Sequence, residues 1–239
     1  MVIIKENWGG GKKMQKTKIS WADMTWNPVT GCKHGCSYCY ARKIAERFKG
    51  SKAWPNGFAP TVHFMRFADP LKMKKPQTIF VCSMADLFGE WVNDDWIRGI
   101  FASCAAAPQH TYIFLTKNPE RYLTIPVGLF RSNMWFGTSS DGGLHVSDRI
   151  RALQKLPHDN KFISFEPLLY DPGLMSLKGI KQVIIGAQTN PDKCAGLEAF
   201  FITCEAADYV GAKVFMKDSL KGRWPDREFR RELCWKVNK

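Results

Sequence analysis

Cys32, Cys36 and Cys39 stand at the spacing CxxxCxxC, with the aromatic Tyr38 directly before the last, and no fourth cysteine follows nearby. Thiolates are soft ligands, and [4Fe–4S] clusters are ordinarily held by four of them, so three can hold three irons and leave the fourth open to a ligand. Zinc is the competing chemistry. A structural zinc ion takes four ligands, usually in two spaced pairs, and the nearby histidine, His34, lies inside the loop itself.

The loop needs elements on either side to position it. Short apolar runs predict strands at 18–26, 78–82, 112–115, 134–137, 162–165, 183–185 and 214–216, and spacing of three and four predicts helices at 40–48, 95–107, 119–122, 146–156 and 197–210. The apolar residues of the first helix are Ala41, Ile44, Ala45 and Phe48. The cysteines thus sit at a strand-to-helix turn. Strands alternating with helices imply parallel βαβ units with right-handed crossovers, and so many units in one domain predict an α/β fold, an incomplete parallel (β/α) barrel.

In such folds chemistry gathers where the strands end, because loops there vary on a fixed scaffold. That rule selects Ser83, Asp86, Thr116, Lys117, Ser139, Asp141, Glu166 and Gln188, each a polar residue just past an apolar run. Glu166, between Phe165 and Pro167, needs a partner if it lies inside. Lys117 is suited to a phosphate or carboxylate, or to the solvated start of a helix. Asp86 suits either a ligand ammonium or the cap of the following turn. Cys82, at a strand end, is either a hydrogen-atom donor facing the reaction or a small buried hydrophobe.

Length and composition bound the rest. The 239 residues suffice for one sizeable domain, and no apolar run is long enough to span a membrane. The eight cysteines, three in one motif and five scattered, point to a reducing cytoplasm rather than to a disulfide framework. A formal charge of +13 favours polyanionic partners. Cations concentrate in residues 1–17, read as a flexible basic arm containing Lys12 and Lys13, and in a basic extension at 221–239. In that extension Trp224, Phe229 and Trp235 interleave the charges, which suits either stacking on nucleic acid or a helix at 226–235 whose aromatics dock on the domain.

The cysteine stretch resembles the motif of the radical S-adenosylmethionine (SAM) superfamily, CxxxCxΦC with Φ aromatic. Further stretches across residues 18–220, among them Thr25-Trp26-Asn27-Pro28, Ser83-Met84-Ala85-Asp86-Leu87-Phe88 and Phe165-Glu166-Pro167-Leu168, are similar to a radical SAM family common in bacteriophage genomes. The resemblance implies a partial barrel of about six units. It implies a [4Fe–4S] cluster on Cys32, Cys36 and Cys39, an external one-electron donor, and cleavage of SAM to a 5'-deoxyadenosyl radical that abstracts hydrogen from a substrate. It also implies Tyr38 at the cluster or the adenine, Ser83 or Asp86 at the SAM amino group, though the glycines usual there are missing, and Ser139 and Asp141 at the ribose or the methionine moiety. Glu166, Lys117 and Gln188 complete the expected site, with Cys82 as the thiol donor. With the basic charge, phage context makes a base or modified nucleotide in DNA the expected substrate, in the host cytoplasm. A peptide or small metabolite is the alternative substrate, and a zinc-bound nucleic-acid module the alternative protein.

Overall fold

The apolar runs assemble into one sheet, and the alternation along each strand decides what faces each side. The computed structural model describes residues 14–189, 192–225 and 228–235. Eight strands lie in the sheet: β1 (Gln15–Lys16), β2 (Met24–Trp26), β3 (Thr78–Val81), β4 (Thr111–Thr116), β5 (Met134–Ser139), β6 (Lys161–Phe165), β7 (Gln182–Ile185) and β8 (Lys213–Met216). Their order in space is their order in the sequence, and every pairing is parallel except that of β1 with β2. Four helices join them: α1 (Tyr40–Arg47), α2 (Asp94–Ala106), α3 (Val146–Lys155) and α4 (Leu197–Tyr209).

Parallel strands added in sequence order through crossovers of one hand place their helices on one face. Val81, Phe114, Phe136, Phe165 and Val214 accordingly share a core with Ile100 and Phe101 of α2, Leu153 of α3 and Phe200 of α4. Their neighbours one residue along point the other way, as a period of two requires, and Phe80, Ile113, Trp135, Phe162, Ile184 and Phe215 form a second, helix-free core with Trp21 and Trp235. Strands buried on both faces read as continuous apolar runs. α2 is capped by the Asn93 side chain, which accepts from the Asp95 N–H at 2.7 Å, and Asp94 and Asp95 sit at the positive end of its dipole.

The structure sharpens four of the readings. The first strand is only Met24–Trp26; residues before it turn back, with the Ala22 N–H on the Ile19 carbonyl, which drops Trp21 onto the helix-free face. The short helix expected at 119–122 is present as a 3-10 helix, Pro119–Thr124. On α1 the buried residues are Ala41 and Ala45, while Ile44 and Phe48 are exposed, because Trp54 and Phe58 approach the helix on its small-residue side. The tail makes no helix among its described residues. Residues 230–232 instead run along the free edge of β8, the Met216 N–H on the Arg230 carbonyl and the Glu232 N–H on the Val214 carbonyl. In the arm, Lys12 and Lys13 lie outside the described residues, and Gln15–Lys16 pairs with Met24–Thr25. Among the described residues no helix is long and apolar enough to cross a membrane.

Candidate active site at the carboxyl edge of the sheet

Because β2 to β8 are parallel, their carboxyl ends share one edge, and the residues just beyond them meet there. The cysteine loop follows β2 and is pinned as it starts. Gly31 donates to the Met84 carbonyl at 3.0 Å, and Cys32 donates to the Phe58 carbonyl at 3.2 Å. Gly31 has φ +86°, and a Cβ there would lie 2.3 Å from the Ala59 carbonyl oxygen, so only glycine fits. The loop ends at Cys39, whose sulfur caps α1 by accepting from the Arg42 N–H at 3.4 Å; the Cys32 sulfur accepts from the His34 N–H at 3.5 Å. Burial pushes the Cys32 thiol up to about 11.

Asp86 holds the loop from below. This carboxylate, 6% exposed, accepts from Thr116 Oγ1 at 2.7 Å, the Lys117 N–H at 2.9 Å and the Phe88 N–H at 3.0 Å, and bonds His34 Nε2 at 2.7 Å. Burial raises its pKa, but the hydrogen bond and charge of His34, with the Lys117 amide and the Thr116 hydroxyl, outweigh burial and hold it below 3.8. Both oxygens bond groups of the protein, and Asp86 thereby ties the ends of β3 and β4 to the cysteine loop. Ser83 is engaged as well. Its hydroxyl donates to Asn27 Oδ1 at 3.2 Å, and its carbonyl accepts from the Tyr40 hydroxyl at 2.9 Å.

Two cavities open beside the loop. The smaller, about 260 Å³, is lined by His34, Cys36, Tyr38, Lys117, Asp141 and Arg149. Lys117 Nζ donates to the Tyr38 hydroxyl at 2.9 Å, and that hydroxyl donates to Asp141 Oδ2 at 3.4 Å. Burial raises the Tyr38 phenol and lowers the Lys117 ammonium from their ordinary values. Arg149 donates to the Ser139 carbonyl at 3.1 Å from the first turns of α3. Two cations and a carboxylate therefore face one small space next to a thiol. The larger cavity, about 680 Å³, shares Ser37 and Tyr38 with the first and reaches Tyr170, Gln188 and Arg223. Gln188 belongs to a two-stranded ribbon, Gln188–Thr189 with Asp192–Lys193.

Glu166 and Cys82 lie outside both linings. Glu166 accepts from Ser164 Oγ at 2.7 Å and Trp21 Nε1 at 3.1 Å, and pairs with Lys217 Nζ at 2.5 Å. Cys82, with φ +58°, ends β3 by turning into the helix-side core; it is 3% exposed, and burial pushes its thiol up to about 12, the setting of a small buried hydrophobe. Arg149 was not among the expected residues. The signal that could have found it is its place in the first turns of the helix after a parallel strand, which face the ligand edge of such sheets.

The pair on Glu166 has a testable consequence. The Glu166 carboxylate raises the Lys217 pKa above 10.5, so its contribution to stability is complete below pH 10.5 and is lost as pH rises through the folded value. Glu166→Gln is expected to cost about 1–3 kcal/mol, discounted because Lys217 is partly solvated. Urea unfolding from pH 7 to 11 should show a constant gap between the two proteins that narrows above pH 10.5; a gap unchanged at pH 11 would contradict this origin.

The three thiols suit an iron–sulfur group by donor chemistry. All three are partly exposed, Cys36 lines the smaller cavity, and two of the sulfurs already accept N–H bonds of the kind that tune such clusters. Among the described residues no three His, Cys, Asp or Glu side chains are grouped to hold a single ion.

The fold is a mixed α/β sheet, parallel and sequential from β2 onward, carrying a three-cysteine loop at its carboxyl edge, and it is shared with solved structures of spore photoproduct lyase. That lyase complexed with dinucleoside spore photoproduct has TM-score 0.57 and 14% identity over 86% of this chain and 79% of its own. A cysteine-to-serine mutant has TM-score 0.58 and 16% identity over 87% and 80%. A double mutant with bound AdoMet and dinucleoside spore photoproduct has TM-score 0.52 and 14% identity over 83% and 64%. At such identity the likeness concerns the fold. No curated protein matches the chain. Residues 16–199 match the family described as protein of unknown function (DUF5131), and the chain belongs to that family.

Proposed function

We propose that this protein is a radical SAM enzyme acting on a nucleic-acid base or nucleotide, in the modification, rearrangement or repair of DNA, with residues 18–220 as its partial barrel. The observation that carries the reading is the juxtaposition of Cys36 with a cavity of both charges: Asp141 would take the ammonium, and Lys117 with Arg149 the carboxylate, the two charged groups on the α-carbon of the methionine moiety of SAM. Cys32, Cys36 and Cys39 would hold a [4Fe–4S] cluster. Bound there, cluster and SAM would supply one-electron cleavage of SAM and hydrogen abstraction from the substrate.

The chain's own residues bind, orient and exclude water. Asp86 and His34 fix the loop, Lys117 and Asp141 fix the Tyr38 hydroxyl, and Tyr38 stands between the two cavities. Ser139 positions Arg149 through its carbonyl. A structural neighbour described with bound AdoMet and dinucleoside spore photoproduct supports this cofactor and substrate class, and the charge of +13 supports a polyanionic substrate. On the resemblance of its motifs to a radical SAM family common in bacteriophage genomes, the DNA would be that of a phage-infected cell and the work would be done in its cytoplasm, with an external one-electron donor.

The test is anaerobic purification, reconstitution with iron and sulfide, and incubation with SAM and dithionite, with and without DNA, reading 5'-deoxyadenosine by mass. Cys36→Ala is expected to abolish its formation, and DNA to increase it. Absence of both iron–sulfur absorbance and deoxyadenosine from the parent protein would sink the enzyme reading; deoxyadenosine formation indifferent to DNA would redirect the substrate to a peptide or metabolite.

A further inference from the structure

We propose that the larger cavity is a chamber for one unpaired nucleotide, its base stacked on Tyr170 and its phosphate held by Arg223 and Lys193. The proposal rests on the functional reading above and names the form of its substrate. Position comes first. The chamber shares Ser37 and Tyr38 with the smaller cavity, so a ligand in it lies one side chain from the space beside Cys36.

Size comes second. Ligand pockets of roughly 300–1,000 Å³ hold single small molecules, and about 680 Å³ accommodates a nucleotide but not a stacked duplex. A base reaches such a site only after leaving its stack. Chemistry comes third. The Arg223 guanidinium is aimed by an ion pair with Asp192 and by a bond to the Cys194 sulfur at 3.1 Å. These use two of its five donors and leave the rest to a planar, multidentate acceptor, the geometry that favours phosphate over a simple dipole. Lys193 adds a second, exposed cation to the lining.

Tyr170 supplies the stacking surface. The residue is 59% exposed while its backbone is fixed, the Leu169 and Tyr170 N–H groups both donating to the Asp141 carbonyl at 2.8 and 3.0 Å. Gly142 lets the two loops meet, since a Cβ there would sit 2.1 Å from the Tyr170 carbonyl oxygen. The residue whose carboxylate lines the smaller cavity therefore holds the stacking ring of the larger one, and the two chambers are built as a unit. An exposed aromatic on a rigid support beside a guided guanidinium is the combination that takes up single-stranded bases.

The experiment is fluorescence anisotropy on the full-length, cluster-reconstituted protein. Its probes are a labelled single-stranded oligodeoxynucleotide, the perfect duplex of the same sequence, and that duplex with one unpaired nucleotide. Single strand and bulged duplex should bind more tightly than perfect duplex. Tyr170→Ala should weaken them roughly 5- to 100-fold while Tyr170→Phe does not. Arg223→Gln should weaken binding and lower the salt slope by about one. Equal affinity for all three probes, no binding of any, or variants that bind like the parent would overturn the chamber. Deoxyadenosine formation is followed in parallel to separate the two readings. SAM cleavage with Tyr170-independent binding leaves the enzyme standing without the chamber, and Tyr170-dependent binding without SAM cleavage leaves the chamber standing without the enzyme.

Discussion

Asp86→Ala is expected to lower the folding free energy by about 3–5 kcal/mol, the cost of leaving buried partners of an ionised group unpaired. Four groups lose their acceptor at once: the Thr116 hydroxyl, the Lys117 and Phe88 amides and the His34 ring. Three of them are ends of the scaffold, and the fourth is the middle of the cysteine loop. The variant should therefore unfold at lower urea and retain less iron after reconstitution. Asp86→Asn separates charge from shape, since it keeps one acceptor oxygen and turns a second into a donor that faces donors.

The sign of the pH dependence is fixed. The folded pKa lies below 3.8, so the unfolded chain binds the proton more readily, and the contribution of Asp86 is complete above 3.8 and lost as pH falls through the folded value. Parent and variant should converge in stability only on the acid side of that window. A parent and an Asp86→Ala protein with the same urea midpoint at pH 7 and the same iron content would refute the anchoring role.

What was legible in the sequence follows from which signals are local. The cysteine spacing is local, and so is the order of strands and helices, because period and apolar runs act within a few residues. The position of polar residues just past strand ends is also local, and it brought Lys117 and Asp141 to the smaller cavity and Gln188 to the larger. The partners of those residues are not local. Asp86 and His34 are 52 residues apart, and nothing in the sequence marks that pairing. The spacing of Ala41, Ile44, Ala45 and Phe48 marked α1 as a helix but not which side packs, because alanines carry a weak pattern; that side is settled by Trp54 and Phe58 in the loop that follows. The tail was ambiguous for a comparable reason, since cations alternating with aromatics describe both a nucleic-acid surface and a docked segment.

The structure docks that tail, and the largest single side chain involved gives the second strong prediction. Trp235 is 5% exposed; its ring meets Trp135 at 4.8 Å and Phe162 at 5.4 Å, and its Nε1 donates to the Trp21 carbonyl at 2.8 Å. It joins a residue from before β2 to the middle of the sheet, on the face no helix covers. The backbone around it adds to β8, and the Cys234 N–H donates to Gln182 Oε1 at 2.8 Å. Without these contacts β8 would present an open edge and the helix-free core an apolar surface, both invitations to association. Trp235→Ala is expected to cost about 3–5 kcal/mol and to lower the thermal midpoint by roughly 10 °C. Trp235→Phe, which keeps ring contact and loses the N–H, should recover most of it. The charges that flank Trp235 are engaged in the same docking, Arg230 with Asp208 and Arg231 with Asp218. The aromatics of the tail are thus taken up in packing, Trp224 and Phe229 against the helix-side core and Trp235 in the helix-free one. Light scattering with thermal unfolding reads both consequences: an alanine variant that melts with the parent and stays as monodisperse as the parent would show that the tail is not a structural part of the fold.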